Sequence, residues 1–217
     1  MSNTDKSERP QDMHSLQRVY SAKDSREVAE LYDDWAEDYD RNVVSYGYAT
    51  PAIAAWFVGR YVEPTAGTVL DAGAGTGMMG EILASLGYGD LVGIDISGKM
   101  LELAHKKGVY KDLRQMELGT QLDFPSDAFV AVVATGVFAA GHAPPESFHE
   151  LIRVTKPGGH VVFSVRTDAY LNGGFKEKQE ALERGERWEL VDATEPFAHL
   201  RFEDPELEVQ VFAYRAR

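Results

Sequence analysis

The sequence predicts an open α/β sheet of seven strands, mostly parallel, flanked by helices and closed by a C-terminal antiparallel hairpin. Three observations carry this. From residue 68 to about residue 167, short apolar runs alternate with segments of helical periodicity, the mark of βαβ units with right-handed crossovers. The run "AFVAVVATG" (128–136) is apolar almost without interruption, as a strand covered on both faces in the middle of a parallel sheet must be. After a charged helical stretch at about 173–187, the chain ends in "WELVDATEPF" and "ELEVQVFAYRAR", two strand-like segments with no helix between them. Strands joined by a short loop pair antiparallel.

The elements follow in order. Residues 24–39, "DSREVAELYDDWAEDY", set Val28, Leu31, Tyr32, Trp35 and Tyr39 at helical spacing, with Asp24 or Ser25 as cap. Residues 50–61 form a second helix, with Thr50 as cap and Pro51 at its first position. "TVLDAG" is the first strand, followed by a helix from about Met78 to Leu86. "DLVGIDIS" is the second strand, and "GKMLELAHKKG" the helix after it, ended by Gly108. "DLRQMEL" is a weaker third strand and "AFVAVVATG" a strong fourth. "PPESFHELIRVT" is a helix stopped by "KPGG", and "HVVFSVRT" is the fifth strand. Residues 1–20 are polar and read as a flexible tail. Residues 21–217 read as one domain, with helices at 21–61 forming a lid over a core at 68–217.

Composition narrows the function. The 217 residues contain no cysteine, which removes disulfides, cysteine-ligated metals and thiol nucleophiles, and places the chain by default in the cytoplasm. There is no apolar run of membrane-spanning length, and no metal-ligand constellation. The net charge of −13, with no basic cluster, argues against a nucleic-acid partner. "KEKQEALERGER" (176–187) alternates in sign, as a solvated helix face does.

The stretch "VLDAGAGTGMMG" (69–80) admits two parsings. Gly75, Gly77 and Gly80 spell G-x-G-x-x-G, with Asp95 downstream, which suits a dinucleotide and an NAD(P)-dependent oxidoreductase. Asp71-x-Gly73-x-Gly75-x-Gly77 is the other pattern. Asp71 decides between them, because it closes the first strand where a pyrophosphate would sit against the helix N-terminus. A carboxylate there repels phosphate and suits a cofactor bearing positive charge.

These residues resemble a known group. "VLDAGAGTG" is similar to motif I of the Rossmann-like class I S-adenosylmethionine (SAM)-dependent methyltransferases, "VGIDIS..ML" to their second motif, and "RVTKPGGHVVFS" to the segment around their fifth strand. "LYDDWAEDYD", "YGYATP", "GVYKDLRQMELG" and "RVTKPGGHVVFSVRT" more narrowly resemble the methyltransferase-like proteins of the Williams–Beuren syndrome critical region, a family that binds SAM and has no settled substrate.

The resemblance implies roles. Ala72, Gly73, Ala74, Gly75 and Gly77 would line the methionine part of SAM with backbone, and Asp71 would face its positive groups. Asp95 would hold the ribose hydroxyls, and Ile96 and Met100 would flank the adenine. Glu117 and Leu118 follow the third strand, where relatives meet the adenine amine. Here "ELGTQLDFP" departs from the usual "DAxxLPF", so a backbone contact from Leu118 is favoured over the Glu117 side chain. Thr135, Gly136 and Val137 close the fourth strand beside the cofactor. Tyr39 is the expected lid contact. His142 is the candidate catalytic proton acceptor. No Asn/Asp-Pro-Pro-aromatic motif follows the fourth strand, which sets the chain apart from methyltransferases of exocyclic base amines. The expected reaction is methyl transfer from SAM to a small-molecule oxygen or nitrogen acceptor. A regulatory protein that holds SAM or its demethylated product without turnover is the alternative.

Overall fold

Hydrogen-bonded ladders join eight strands into one sheet in a computed structural model that describes residues 13–139 and 141–217. The parallel strands are β1 (Val69–Ala72), β2 (Leu91–Asp95), β3 (Asp112–Gln115), β4 (Phe129–Phe138) and β5 (Thr155–Arg166). Then come β6 (Trp188–Ala193), β7 (Phe197–Leu200) and β8 (Asp204–Ala216). The order across the sheet is β3-β2-β1-β4-β5-β8-β6, with β7 paired to β8. The final strand therefore inserts between β5 and β6, antiparallel to both. The expected parallel sheet with an antiparallel close is present, with one strand more than the sequence suggests. That strand, β7, spans four residues, "FAHL", too short to show a period.

The chain runs from β1 outward to β2 and β3, then returns to the other side of β1 at β4. This reversal opens a crevice beyond the carboxyl ends of β1 and β4, where open α/β sheets hold ligands.

Around the sheet lie α1 (Met13–Tyr20), α2 (Ser25–Ser45), α3 (Thr50–Tyr61), α4 (Met78–Ser85), α5 (Gly98–Lys107), α6 (Ser147–Val154), α7 (Thr167–Asn172) and α8 (Phe175–Arg184). The expected tail is corrected in its second half. Residues 13–20 form α1, and Val19 is fully buried against α2. Residues 1–12 of that tail lie outside the described residues. Asp24 caps α2, accepting from the Glu27 amide at 2.9 Å. The helix runs on to Ser45 because Val43 is buried and the Trp35 indole donates to Asn42 Oδ1 at 3.2 Å. At α3 the cap moves by one residue. Ala49 precedes the helix and Thr50 is its buried first residue, so its side chain is free for another task.

Two apolar layers sandwich the sheet. On one face Phe57 and Val58 of α3 pack with Val69, Leu91, Val133 and Val162. On the other, Trp188 stacks 4.1 Å from Tyr214 and 5.8 Å from Phe163. A third cluster, with Val19, Trp35, Val43, Tyr46 and Leu200, ties α1 and α2 to β7. These two helices thereby hang over the open ends of the parallel strands.

Candidate active site

The glycine loop starts where β1 ends. The amides of Gly73 and Ala74 both donate to the Ile94 carbonyl, at 2.8 and 2.9 Å, which folds the loop toward β2. Gly73 has φ +99°, and a Cβ there would stand 2.2 Å from Val137 Cγ1, so no side chain fits. Gly75 faces open space, and its amide donates to Asp95 Oδ2 at 2.7 Å. The other oxygen of Asp95 accepts from the Ser97 amide at 2.9 Å. Burial raises the Asp95 pKa, opposed by these backbone donors.

Beneath the loop lies Asp71, 1% exposed. One carboxylate oxygen accepts from the Tyr110 hydroxyl at 2.5 Å, and that hydroxyl in turn accepts from the Gly80 amide at 3.0 Å. The last glycine of G-x-G-x-x-G is thus explained by packing: a Cβ on Gly80 would lie 2.3 Å from Tyr110 Cζ. The other oxygen, Oδ1, is buried without a partner. Burial, offset in part by Tyr110, pushes the Asp71 carboxyl up to about 7.

Helix α2 forms the roof. Asp33 accepts from Ser97 Oγ at 2.5 Å and from the Lys99 amide at 3.1 Å, anchoring α2 to the start of α5. Asp40 accepts from Thr76 Oγ1 in the glycine loop and from Lys107 Nζ at 2.8 Å. Under this roof is an open cleft.

Tyr39, Gly73, Gly75, Asp95, Ile96 and Met100 line that cleft, and so do Glu117, Leu118 and His142. The remaining expected residues stand behind its wall. Asp71 is beneath the loop; Ala72 is fully buried in β1; Ala74 is spent on the bond to Ile94. Gly77 begins α4 against Ala104 and Tyr110. Thr135 is hydrogen-bonded to the Tyr48 hydroxyl and turns away from the cleft. His142 Nε2 lies 3.3 Å from the Tyr32 hydroxyl, part of the seam between roof and cleft.

Sequence reasoning missed several participants. Ser25 and Val28 of α2 and Met116 also line the cleft. Tyr110 precedes β3 outside any period, and only the fold brings it under Asp71. A second, much smaller cavity adjoins the cleft and shares Tyr32, Tyr39 and Gly136 with it. Tyr20, Tyr48 and His199 line this chamber alone. Among the described residues, no helix is long and apolar enough to cross a membrane.

The residues present fit SAM. An orphaned, buried carboxylate oxygen at the end of β1 suits a cationic group, and Gly75 faces open space in the cleft wall. A pyrophosphate at the end of β1 would meet the buried carboxyl of Asp71, which argues against the dinucleotide parsing. Fold and site together define a class I SAM-dependent methyltransferase. The methyltransferase domain family matches residues 70–163. Human methyltransferase-like protein 27 is 34% identical over 80% of this chain and 73% of its own length. The chain belongs to the family of that protein, the group its motifs resemble. The demethylmenaquinone methyltransferase of Symbiobacterium thermophilum is 31% identical over 62% of this chain, which spans only 57% of that relative. A SAM-dependent methyltransferase of Thermotoga maritima, titled a possible histamine N-methyltransferase, shares the fold at a TM-score of 0.61 and 17% identity, covering 87% of this chain and 98% of that one.

Proposed function

We propose that this enzyme transfers the methyl group of SAM to an oxygen or nitrogen of a small-molecule acceptor. The observation that carries the reading is the cleft under α2, where the glycine loop, Asp95 and Met100 come together. The acidic chain, at −13, gives no electrostatic support to a nucleic-acid acceptor.

Bound SAM would supply a methyl group already activated by its sulfonium. The protein's share is then to hold, orient and dry the reactants. Asp95 is assigned to the ribose hydroxyls, exchanging the Gly75 and Ser97 amides for them in part. Asp71 is assigned to the α-ammonium through its free oxygen, directly or through a water. The backbone of Gly73 and Gly75 lets the methionine part lie close to the loop. Ile96 and Met100 are assigned to the adenine, and Leu118 to its amine. Tyr39 covers the methionine end from α2. His142 belongs to the cofactor wall rather than to the chamber, so its assignment shifts from proton acceptor to roof contact.

The test is a calorimetric titration with SAM and with S-adenosylhomocysteine (SAH), followed by an acceptor screen with radiolabelled SAM. Saturable binding of both and label transfer to a small molecule are expected. Label transfer only to protein or RNA would overturn the small-molecule reading.

A further inference from the structure

Two side chains of the roof reach the two peptides that hold Asp95. Asp33 and Asp40 stand seven residues apart in α2, about two helical turns, so both project from one face of the helix. Asp33 accepts from Ser97 Oγ at 2.5 Å, and the Ser97 amide donates to Asp95 Oδ1 at 2.9 Å. Asp40 accepts from Thr76 Oγ1, and the amide of the residue before it, Gly75, donates to Asp95 Oδ2 at 2.7 Å. Ser97 is fully buried and Thr76 is 2% exposed, so both hydroxyls are shielded from bulk water. Each aspartate has a second anchor. Asp33 accepts from the Lys99 amide in the first turn of α5, and Asp40 from Lys107 Nζ in its last turn, so the roof grips α5 at both ends.

These contacts bear on what a ribose would meet. A carboxylate has about four acceptor sites, so amides and ribose hydroxyls can share it. The amides on its two oxygens set the plane of the Asp95 carboxylate, and with it the direction of the remaining sites. Burial raises the Asp95 pKa, the amides of Ser97, Gly75 and Ile96 lower it, and the charge of Asp33 raises it again. By charge alone Asp33 would hinder this site. Its use there is the hydrogen bond it takes from Ser97.

We infer that Asp33 and Asp40 are positioning residues for the cofactor: through Ser97 and Thr76 they hold the two peptides that aim Asp95 at the ribose hydroxyls, so that docking of α2 and recognition of the ribose are coupled. This rests on the assignment of Asp95 to the ribose under the methyltransferase reading above. The coupling is reciprocal. A ligand with ribose hydroxyls tightens the roof, and a docked roof favours such a ligand by the same factor. A ligand without those hydroxyls gains nothing from either carboxylate of α2.

The experiment compares SAH with its 2′,3′-dideoxy analogue, which keeps the adenine and the amino-acid end. Calorimetry on the wild type is expected to favour SAH by about 30-fold or more, because hydrogen bonds to a charged group are the stronger kind. Asp33→Ala and Thr76→Val should each cut that preference about fivefold or more, weakening SAH while the analogue stays within about twofold. Asp33→Asn and Thr76→Ser keep the hydrogen-bonding oxygen and should keep the wild-type preference. A general loosening of the fold would weaken both ligands alike and leave the preference unchanged. A second measurement needs no substitution. With each ligand at saturation, hydrogen exchange in α2 of the wild type should be slower by about fivefold or more with SAH than with the analogue. An undiminished preference in Asp33→Ala and Thr76→Val, or equal α2 exchange with the two ligands, overturns the inference and leaves the methyltransferase reading standing. Equal affinity of the wild type for both ligands overturns the inference together with the assignment of Asp95 to the ribose. Failure of SAH to bind the wild type overturns the methyltransferase reading as well.

Discussion

At the scale of the residue, Asp71 is a buried acid whose ionised form is disfavoured. Burial raises its carboxyl to about 7, and the neighbouring Asp95 adds to this, while Tyr110 opposes it. A carboxyl whose folded pKa lies above its unfolded value stabilises the fold fully only below the unfolded value. That contribution fades as pH rises through 4 toward 7, and the total is on the order of 4 kcal/mol. Asp71→Asn removes the ionisation. We expect the ligand-free variant to unfold at a higher temperature than wild type at pH 8 and at nearly the same temperature at pH 4. Differential scanning calorimetry at the two values reads this directly, and an equal difference at both would refute the assignment. Affinity should move the other way. Wild-type SAM binding should tighten as pH rises from 6 to 8, since the ammonium needs the carboxylate, whereas Asp71→Asn should bind more weakly at pH 8 and show a flatter profile. Tyr110→Phe makes a complementary case. It strips the carboxylate of the Tyr110 hydrogen bond and leaves the Gly80 amide without its acceptor, so SAM affinity should fall by about tenfold, or about 1.4 kcal/mol by calorimetry.

At the scale of the element, α2 matters most, because it is the roof and its attachments are few. Asp33 sits where a helix N-terminus offers unpaired amides, and Asp40 bridges the glycine loop to Lys107. Lys107 is only 17% exposed on its side chain and also meets Glu81 at 2.7 Å, so it is the junction of roof, loop and α4. Asp33→Ala should cost about 1 kcal/mol, as loss of a cap does. Faster hydrogen exchange in α2 is the expected readout, with SAH dissociation accelerated several-fold by stopped flow. Unchanged exchange would mean that the apolar contacts of Trp35 and Val43 alone hold the roof. The same helix shows what a sequence can and cannot disclose. Its apolar stripe is local and periodic, so Val28, Trp35 and Tyr39 were readable as one face. Its attachments join residues 36 to 67 positions apart, and no local pattern announces them. The glycine loop and Asp95 were legible because strand, turn and acid are sequential. Tyr110 was not, since it precedes a weak edge strand. It meets Asp71 only when the sheet closes.

At the scale of the whole molecule, the sheet separates two tasks. β1 to β4 carry the glycine loop, Asp95 and the cleft, while β5, β6 and β8 carry a stacked aromatic core. Trp188 is central to that core: 1% exposed, stacked on Tyr214 and Phe163, and donating through its indole to the Gln179 carbonyl at 3.3 Å. Trp188→Ala should therefore cost about 3–5 kcal/mol, the range for losing a buried aromatic. For a chain of this size that corresponds to a fall in Tm of roughly 6–20 °C. None of the lost contacts touches the cleft, so SAH affinity measured well below the transition should stay within about twofold of wild type. The rise in Tm at a SAH concentration of about 100 times Kd, close to 2.7 kcal/mol of stabilisation, should be retained in the variant. If SAH affinity fell together with stability, the aromatic core would be setting the geometry of the cofactor loop through β4 and β5. If it does not, the insertion of β8 between β5 and β6 acts as a foundation, stabilising the fold that presents the site without shaping the site itself.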